Sequence, residues 1–257
     1  MAADDRTLPR HLAAELAERL ALVTRRFDRA LLIAGDAAPH AAAIRAAGRV
    51  NDLILAAPAA DDDLRLEGES FNAIIAMADL HAVNDLPGQL AQMRRALKPD
   101  GMLLVAFFGG ETLAELRQSW LAAEGEGRGA SPRVAPMVEV RAFGTLLQRA
   151  GFALPVIDAD RRTLRYADAL SLMREIKAMG FANPLADRAR GLTAPATLAR
   201  AVNYYHDHFA DADHRIRATL DVLWAIAWAP DASQPKPARP GSATMRLADA
   251  LKAKDLD

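Results

Sequence analysis

The sequence has no cysteine, no excess of positive charge and no long apolar run, and each absence excludes a class of structure or function. Without cysteine there are no disulfides, no thiolate metal ligands and no cysteine nucleophile, which fits a reducing compartment. The formal net charge of −1 gives no positive field for nucleic acid. Apolar runs such as VLWAIAWA (222–229) are far shorter than the roughly 20 residues of a membrane helix.

The N-terminus, MAADDRTLPR, is acidic and polar and has no apolar segment beside it, so it does not resemble a secretory signal. These features favour a cytoplasmic protein with no transmembrane segment and no nucleic-acid partner. The 257 residues suffice for one large domain, or for a domain with an insertion.

Short apolar runs alternate with amphipathic segments along much of the chain. RALLIAG (29–35), FNAIIAMADL (71–80) and GMLLVAFFG (101–109) are continuous apolar runs, typical of strands buried on both faces. Segments with helical spacing lie between them, and the short connections favour a parallel sheet covered by helices. Residues 167–210 have helical character, and IRATLDVLWAIAWAP (216–230) returns to strand character.

This order predicts an α/β fold in four segments. An N-terminal helix occupies residues 1–28, and a doubly wound core occupies residues 29–166. A helical insertion, serving as a lid or partner surface, occupies residues 167–212. Residues 213–257 supply the last strand and a tail that complete the core.

One long stretch, FNAIIAMADLHAVNDLPGQLAQMRRALKPDGMLLVAFFGGETLAEL (71–116), resembles a class I S-adenosylmethionine (SAM) dependent methyltransferase. The LKPDG turn before an apolar strand is widespread in that superfamily. The strings LHAVNDLPG, FFGGETLAELR, SPRVAPM and LLQRAGF, with the tail SQPKPARPGSA, narrow the resemblance. Together they look like the mitochondrial complex I assembly factors with a methyltransferase fold and their bacterial methyltransferase-like relatives. The likeness covers nearly the whole chain.

The resemblance implies a Rossmann-like class I methyltransferase fold, with a mostly parallel seven-stranded sheet and a helical insertion before the last strand. It implies SAM as cofactor and a SAM-dependent transferase acting on a protein or a small molecule. The segment between Gly35 and Phe71 is short for this fold, which leaves room for one element fewer.

Two alternatives to methyl transfer stay open. The mitochondrial relatives are understood to hydroxylate an arginine of a complex I subunit. In the first alternative, this chain resembles those relatives in function. It is a non-methylating assembly factor or an arginine hydroxylase, with a respiratory-complex subunit as its partner. The second alternative is a catalytically inactive binding module that keeps the fold and a partner surface.

The predicted cofactor loop, LLIAGDAAPH (31–40), departs from the pattern of the superfamily, which has an acidic residue and several glycines there. The residues at those places are Leu32, Ala34, Ala37 and Ala38. An alanine Cβ adds bulk and disfavours positive φ, at a cost of roughly 1 kcal/mol. The second predicted strand and its end, LILAAPAA (53–60), also lack the carboxylate that relatives use to hold the ribose hydroxyls. The SAM-binding motif is therefore eroded.

The remaining cofactor contacts implied by the resemblance lie at the carboxyl ends of the predicted strands, where open α/β sheets bind ligands. They are Gly35, Asp36, Asp61, Met77 and Ala78. Asp61 begins a run of three aspartates that either supplies a carboxylate near the adenine or forms a solvated acidic loop.

Asp79 and His81 are the candidate catalytic residues, because a histidine of near-neutral pKa can act as a general base. The alternative is that His81 only ties its loop together by hydrogen bonds. Ala82 follows His81 where relatives commonly have tryptophan. Gly109 and Gly110 either admit a substrate backbone or form a strand-to-helix turn.

The segment NYYHDHFADADH (203–214) gathers three histidines and two tyrosines. His206 and His208 are two residues apart and point about 200° apart on a helix, so no metal site is predicted. Tyr204 and Tyr205 are candidates for substrate or partner contact from the helical insertion, or for packing within it.

Overall fold

The computed structural model describes residues 7–125, 132–178, 183, 188 and 191–235. These residues form helices and strands in the predicted alternation. In chain order the elements are α1 (Thr7–Leu22), β1 (Phe27–Ala34), α2 (Ala37–Ala47), β2 (Val50–Ala56), β3 (Phe71–Met77), a 3-10 turn (Leu80–Ala82), α3 (Leu86–Ala96), β4 (Leu97–Gly109), α4 (Ala114–Gly125), α5 (Val140–Arg149), β5 (Ala153–Tyr166), α6 (Ala169–Ala178), α7 (Pro195–Phe209) and β6 (Ile216–Trp228). The tail from residue 236 lies outside the described residues.

One mostly parallel sheet has the strand order β2-β1-β3-β4-β6-β5. β1 pairs in parallel with β2 and β3, and β3 pairs in parallel with β4. β6 is antiparallel to both β4 and β5, between which it lies. A helix lies in the connection from β1 to β2 and in that from β3 to β4, as in a doubly wound sheet, whereas the connection from β2 to β3, which is described in full, contains no helix. The predicted α/β, Rossmann-like architecture is confirmed.

The sheet has six strands in the described part of the chain, one fewer than the seven expected. The whole segment between β2 and β3 is described and contains no strand. Asp62, Arg65 and Glu69 in that segment have φ near +50° to +60°. Such left-handed residues interrupt an extended chain, so β2 forms the edge of the sheet.

The central strands bury alternate residues on opposite faces of the sheet. In β1, Leu31 and Ile33 belong to one core cluster, whereas Ala30, Leu32 and Ala34 belong to the cluster on the other face. The same alternation continues in β3 and β4. Because successive side chains of a strand point to opposite faces, an unbroken apolar run fills both layers at once.

A third apolar cluster joins α4, α6, α7 and the first half of β6. Tyr205 of α7 is fully buried there, and its hydroxyl donates a 2.9 Å hydrogen bond to the carbonyl of Arg217. The guanidinium of Arg200 donates to the carbonyl of Ala123, which ties α7 to α4. None of the helices that the structure describes is long and apolar enough to cross a membrane.

The LKPDG segment differs in detail from the turn expected of it. Asp100, rather than Gly101, has the positive φ, at 57°. Gly101 is needed for another reason, because a Cβ there would lie 2.8 Å from the carbonyl oxygen of Lys98. The segment begins β4, and its backbone bonds to Ala229 just after β6.

Gly110→Ala is predicted to destabilise the protein more than Gly48→Ala. Both glycines have positive φ, near 55° and 63°, so each alanine costs about 1–2 kcal/mol. A Cβ on Gly110 would also lie 2.6 Å from Oδ2 of Asp221, whereas none of the described residues comes within 4 Å of a Cβ on Gly48. Displacing the buried Asp221 adds about 1–3 kcal/mol. Urea unfolding of both variants checks this, and equal losses would contradict it.

Candidate functional site

The carboxyl ends of β1 and β3 lie side by side, because Ala34 pairs with Met77. This register brings Gly35 and Asp36 close to Ala78 and the residues that follow it. No described atom lies within 4 Å of a Cβ built on Gly35, so space is open beside the loop. Asp36 precedes α2, and among the described contacts its side chain does not cap the helix. The first amide groups of α2 are therefore available to an anion.

Ala78 holds an unusual backbone conformation directly after β3. Its φ is +54°, and its amide donates a 2.7 Å hydrogen bond to the carbonyl of Ala106 in β4. A left-handed alanine costs of order 1 kcal/mol and persists only where the surroundings impose it. This residue turns the chain out of the sheet and begins the path to the 3-10 turn that holds His81.

Asp79 is a buried carboxyl at the carboxyl end of β3, with 9% of its surface exposed. Its Oδ2 is buried and accepts no hydrogen bond from the described residues. Burial, followed by the nearby charge of Asp62, raises the pKa of Asp79 to about 6. Asp62 accepts a 2.8 Å hydrogen bond from the amide of Asp85, which fixes it near α3. Two carboxylates thus share a site that has no neutralising cation among the described ion pairs.

His81 is the second predicted catalytic residue and is neutral at pH 7. Burial lowers its pKa to about 4. Its ring packs edge to face against Phe108, with 4.9 Å between the ring centroids. The near-neutral pKa expected from the sequence is therefore not found, although the neutral imidazole is the form that can accept a proton. A catalytic role for His81 stays a prediction.

A cavity of about 290 Å³ opens beside His81, between the carboxyl ends of the central strands and the helices α4 and α6. Its lining consists of His81, Ala82, Phe108, Thr112, Leu113, Leu116, Trp120, Arg133, Val134, Ala135, Met137, Leu164, Tyr166, Leu172, Met173, Ile176, Lys177, Asn183, Ala218, Thr219 and Leu220. Apolar side chains dominate, and none of these described residues is an aspartate or glutamate. The cavity has the size and lining typical of a small-molecule site.

The other two predicted cofactor contacts, Met77 and Asp61, differ in how far they are buried. Met77 ends β3 and is 1% exposed within the core cluster of β1 and α2. Asp61 is exposed and pairs with Arg65 at 2.5 Å, and the hydrogen bond from the amide of Asp63 helps lower its pKa. The carboxylate of Asp61 is therefore bound by residues of its own loop. Asp62 is the aspartate of this run whose charge helps raise the pKa of Asp79.

The predicted substrate residues lie outside the cavity lining. Cβ atoms on Gly109 and Gly110 would meet Leu223 and Asp221 respectively, so the space beside these glycines is filled by β6. Tyr205 is buried in the helical cluster, and Tyr204 stacks on His208 with 3.9 Å between ring centroids. The structure does not bring these four residues together with His81.

The histidines of α7 stay at its exposed end. The rings of His206 and His214 stack at 5.9 Å. Among the residues that the structure describes, no group of three histidine, aspartate or glutamate side chains is arranged to hold a metal ion.

Several residues of the site gave no separate signal in the sequence. Trp120, Tyr166, Lys177 and Thr219 line one cavity only through tertiary packing. The usable signal was the apolar face of α4, where Leu113, Leu116 and Trp120 recur at helical spacing and need a covering element. That face could have been matched with the apolar face of α6.

Comparison with known proteins agrees with the geometry. The YcgJ protein of Bacillus subtilis has a TM-score of 0.56 and 13% identity, covering 86% of this chain and 99% of that one, which shows a shared fold. Residues 14–105 match the family described as Methyltransferase domain. Arginine-hydroxylase NDUFAF5, mitochondrial, of Danio rerio is 37% identical over 195 residues. The chain is therefore a relative of the class I SAM-dependent methyltransferase superfamily and shares its fold.

Within that superfamily the chain is a relative of NDUFAF5. The zebrafish match covers 75% of this chain and 60% of the relative, so the chain spans less than two thirds of that protein. A malonyl-[acyl-carrier protein] O-methyltransferase of Xylella fastidiosa is 36% identical over 161 residues, covering 63% of this chain and 52% of the relative. The chain is thus a methyltransferase-domain protein homologous to both groups.

Asp79→Asn is predicted to change the pH dependence of stability. The pKa of Asp79 is higher in the folded chain than in the unfolded one, so the folded state holds more protons between pH 4 and 6. The stabilising contribution of this group is complete below pH 4 and is lost as the pH rises through 6. The free energy of unfolding of Asp79→Asn, relative to wild type, should therefore rise by about 3 kcal/mol over that window.

His81→Gln should show the opposite trend in the same measurement. The pKa of His81 is lowered on folding, so its contribution is complete above pH 6.5 and is lost as the pH falls towards 4. Chemical denaturation at several pH values checks both variants, with the exposed Asp52→Asn as control. Two parallel profiles for Asp79→Asn and His81→Gln would refute the assignment.

Proposed function

We propose that this chain is a SAM-dependent methyltransferase that methylates a nucleophile held in the cavity beside His81. The observation that carries the proposal is that two spaces lie at neighbouring strand ends. The open loop at Gly35 and the carboxyl of Asp79 lie on neighbouring strand ends, and the cavity begins two residues beyond Asp79. In this fold ligands bind outside the carboxyl ends of the strands, so cofactor and substrate spaces adjoin.

The residues at the strand ends fit the charges of SAM. The negative charge of Asp62 adds to burial in raising the pKa of Asp79, and a sulfonium or ammonium cation would relieve that repulsion. The uncapped first amides of α2 suit the carboxylate of the cofactor's methionine part. Ala56 ends β2 without a carboxylate for the ribose, which predicts weaker binding than in members that have one.

When bound, SAM supplies an electrophilic methyl group, and the chain's own residues have few chemical tasks. The apolar walls of the cavity exclude water and hold the nucleophile in line. The neutral imidazole of His81 accepts the proton that the nucleophile loses. The edge-to-face contact with Phe108 keeps that ring in place.

The lining of the cavity favours methyl transfer over arginine hydroxylation. Recognition of a guanidinium normally uses a carboxylate in bidentate contact. No aspartate or glutamate is among the described lining residues, and the O-methyltransferase relatives act, by name, on an acidic acyl group. A respiratory-complex subunit as partner and a cytoplasmic location stay predictions. Co-purification with such a subunit would support the non-methylating alternative.

Gly35→Leu is predicted to abolish SAM binding without unfolding the chain. Its backbone does not have a positive φ, and the space around its Cβ is open, so leucine fits sterically but fills the cofactor space. Isothermal titration with SAM should show binding to wild type and at least tenfold weaker binding to Gly35→Leu. Gly125→Leu is the matched control, because a Cβ there also meets no described atom within 4 Å.

Absence of heat with wild type at millimolar SAM would overturn the proposed function. The binding-module alternative would then stand. Equal SAM affinity of wild type and Gly35→Leu would place the cofactor elsewhere and contradict the site proposed at the end of β1.

A further inference from the structure

We propose that the cavity beside His81 binds an aliphatic chain whose anionic headgroup pairs with Lys177. This inference deepens the proposed function, on which it rests only in taking the cavity as the substrate site. The ligand class follows from three features of the wall: its apolar surface, its occupied hydroxyl groups and its charge.

Two helices present apolar faces to each other across the cavity. Leu113 at the approach to α4, with Leu116 and Trp120 within it, lies on one side. Leu172, Met173 and Ile176 of α6 lie on the other. Burying an apolar chain between them removes apolar surface of both from water, which is the main favourable term for such a ligand. A small polar ligand would leave this surface without contact.

The hydroxyl groups of the wall are already bonded within the protein. Thr112 donates to the carbonyl of Gly109 at 2.7 Å, and Thr219 donates to Glu115 at 2.5 Å. Tyr166 bonds to Glu175, and burial raises the pKa of this phenol. Polar ligand atoms at this depth would have to displace these bonds or stay without a hydrogen-bond partner, and either outcome opposes binding. The buried part of the ligand is therefore apolar.

The inner charges of the wall are neutral or neutralised. His81 is uncharged at pH 7 because burial lowers its pKa. Arg133 pairs with the buried Glu124 at 2.6 Å, donates to Thr193 and lies over the ring of Trp120 at 5.1 Å. Arg133 is thus part of the wall and does not offer an uncompensated charge.

Lys177 differs from Arg133 in its surroundings. It lines the cavity, is exposed, and makes no hydrogen bond or ion pair with any residue that the structure describes. An ammonium group at the solvent edge of an apolar cavity suits an anionic headgroup whose chain enters the cavity.

Ala82 keeps the cavity open next to His81. It is exposed and lines the cavity, so a larger side chain can enter this space without being forced into the core. Ala82→Trp is therefore a variant that shortens the cavity while leaving its charge unchanged. It tests the apolar part of the proposal separately from the headgroup.

Isothermal titration of the full chain without SAM tests the proposal with decanoate and with decanoyl-phosphopantetheine. Both probes have an aliphatic chain and an anionic group, the first as a free acid and the second as a carrier-borne thioester. We expect wild type to bind at least one of them, Lys177→Glu to bind it at least tenfold more weakly, and Ala82→Trp to weaken it similarly. Lys98→Glu, at the amino end of β4 and therefore at the opposite end of the strand from Phe108 of the cavity, should match wild type.

Decylammonium and butyrate complete the design. Lys177→Glu should bind decylammonium more tightly than wild type does, because the charge at the edge is reversed, and butyrate should bind wild type weakly. Binding of decanoate alone points to a free acid, and binding of the thioester alone to a carrier. No binding of either chain, or binding unchanged by Lys177→Glu and Ala82→Trp, would overturn the inference. Since SAM is absent, failure of cofactor binding is a separate result.

Discussion

The buried carboxylate of Asp221 connects the elements that form the cavity wall, which we call the substrate half of the molecule: β5, β6 and the turn before α4. It accepts two hydrogen bonds from Arg161 of β5, at 2.7 and 2.8 Å, and one from the amide of Glu111, at 2.9 Å. Its own amide donates to the hydroxyl of Thr112. One side chain of β6 thus fixes β5 and the turn that leads to α4. A buried charge is stable only when partners of this kind surround it, so the cavity wall formed by α4 depends on this carboxylate.

The cofactor half consists of β1, the loop after it and the start of α2, and it is stabilised by apolar burial and helix formation. Leu32 is fully buried in the core where relatives have an acidic residue, and Ala37 and Ala38 form the first positions of α2. Alanine is the best helix former, so these residues stabilise α2 where glycines would weaken it. The same substitutions take away the bare backbone that close approach to a ligand uses. The loop therefore gains local stability, and only Gly35 keeps the open space that a cofactor needs.

The sequence predicted those parts of the fold that depend on local pattern. Continuous apolar runs marked β1, β3 and β4, because strands buried on both faces have no polar alternation. The short segment between β1 and β3 left room for one element fewer, but the left-handed residues that interrupt it, such as Asp62 and Arg65, give no signal in the periodicity. The cavity was missed for a related reason: Trp120, Lys177 and Thr219 lie far apart along the chain and meet only when β5 and β6 pair around the helical insertion.

Burial connects the two halves through Asp79 and His81. The same loss of water raises the pKa of Asp79 to about 6 and lowers that of His81 to about 4, so burial disfavours the charged form of each group. Under the proposed function a cation between Asp62 and Asp79 favours the ionised carboxylate of Asp79 and disfavours protonation of His81. His81, which is already neutral at pH 7, would therefore stay in its proton-accepting form when the cofactor binds. The chemistry of the cavity would depend on charge brought to the strand ends by the cofactor, and the chain would need few catalytic side chains of its own.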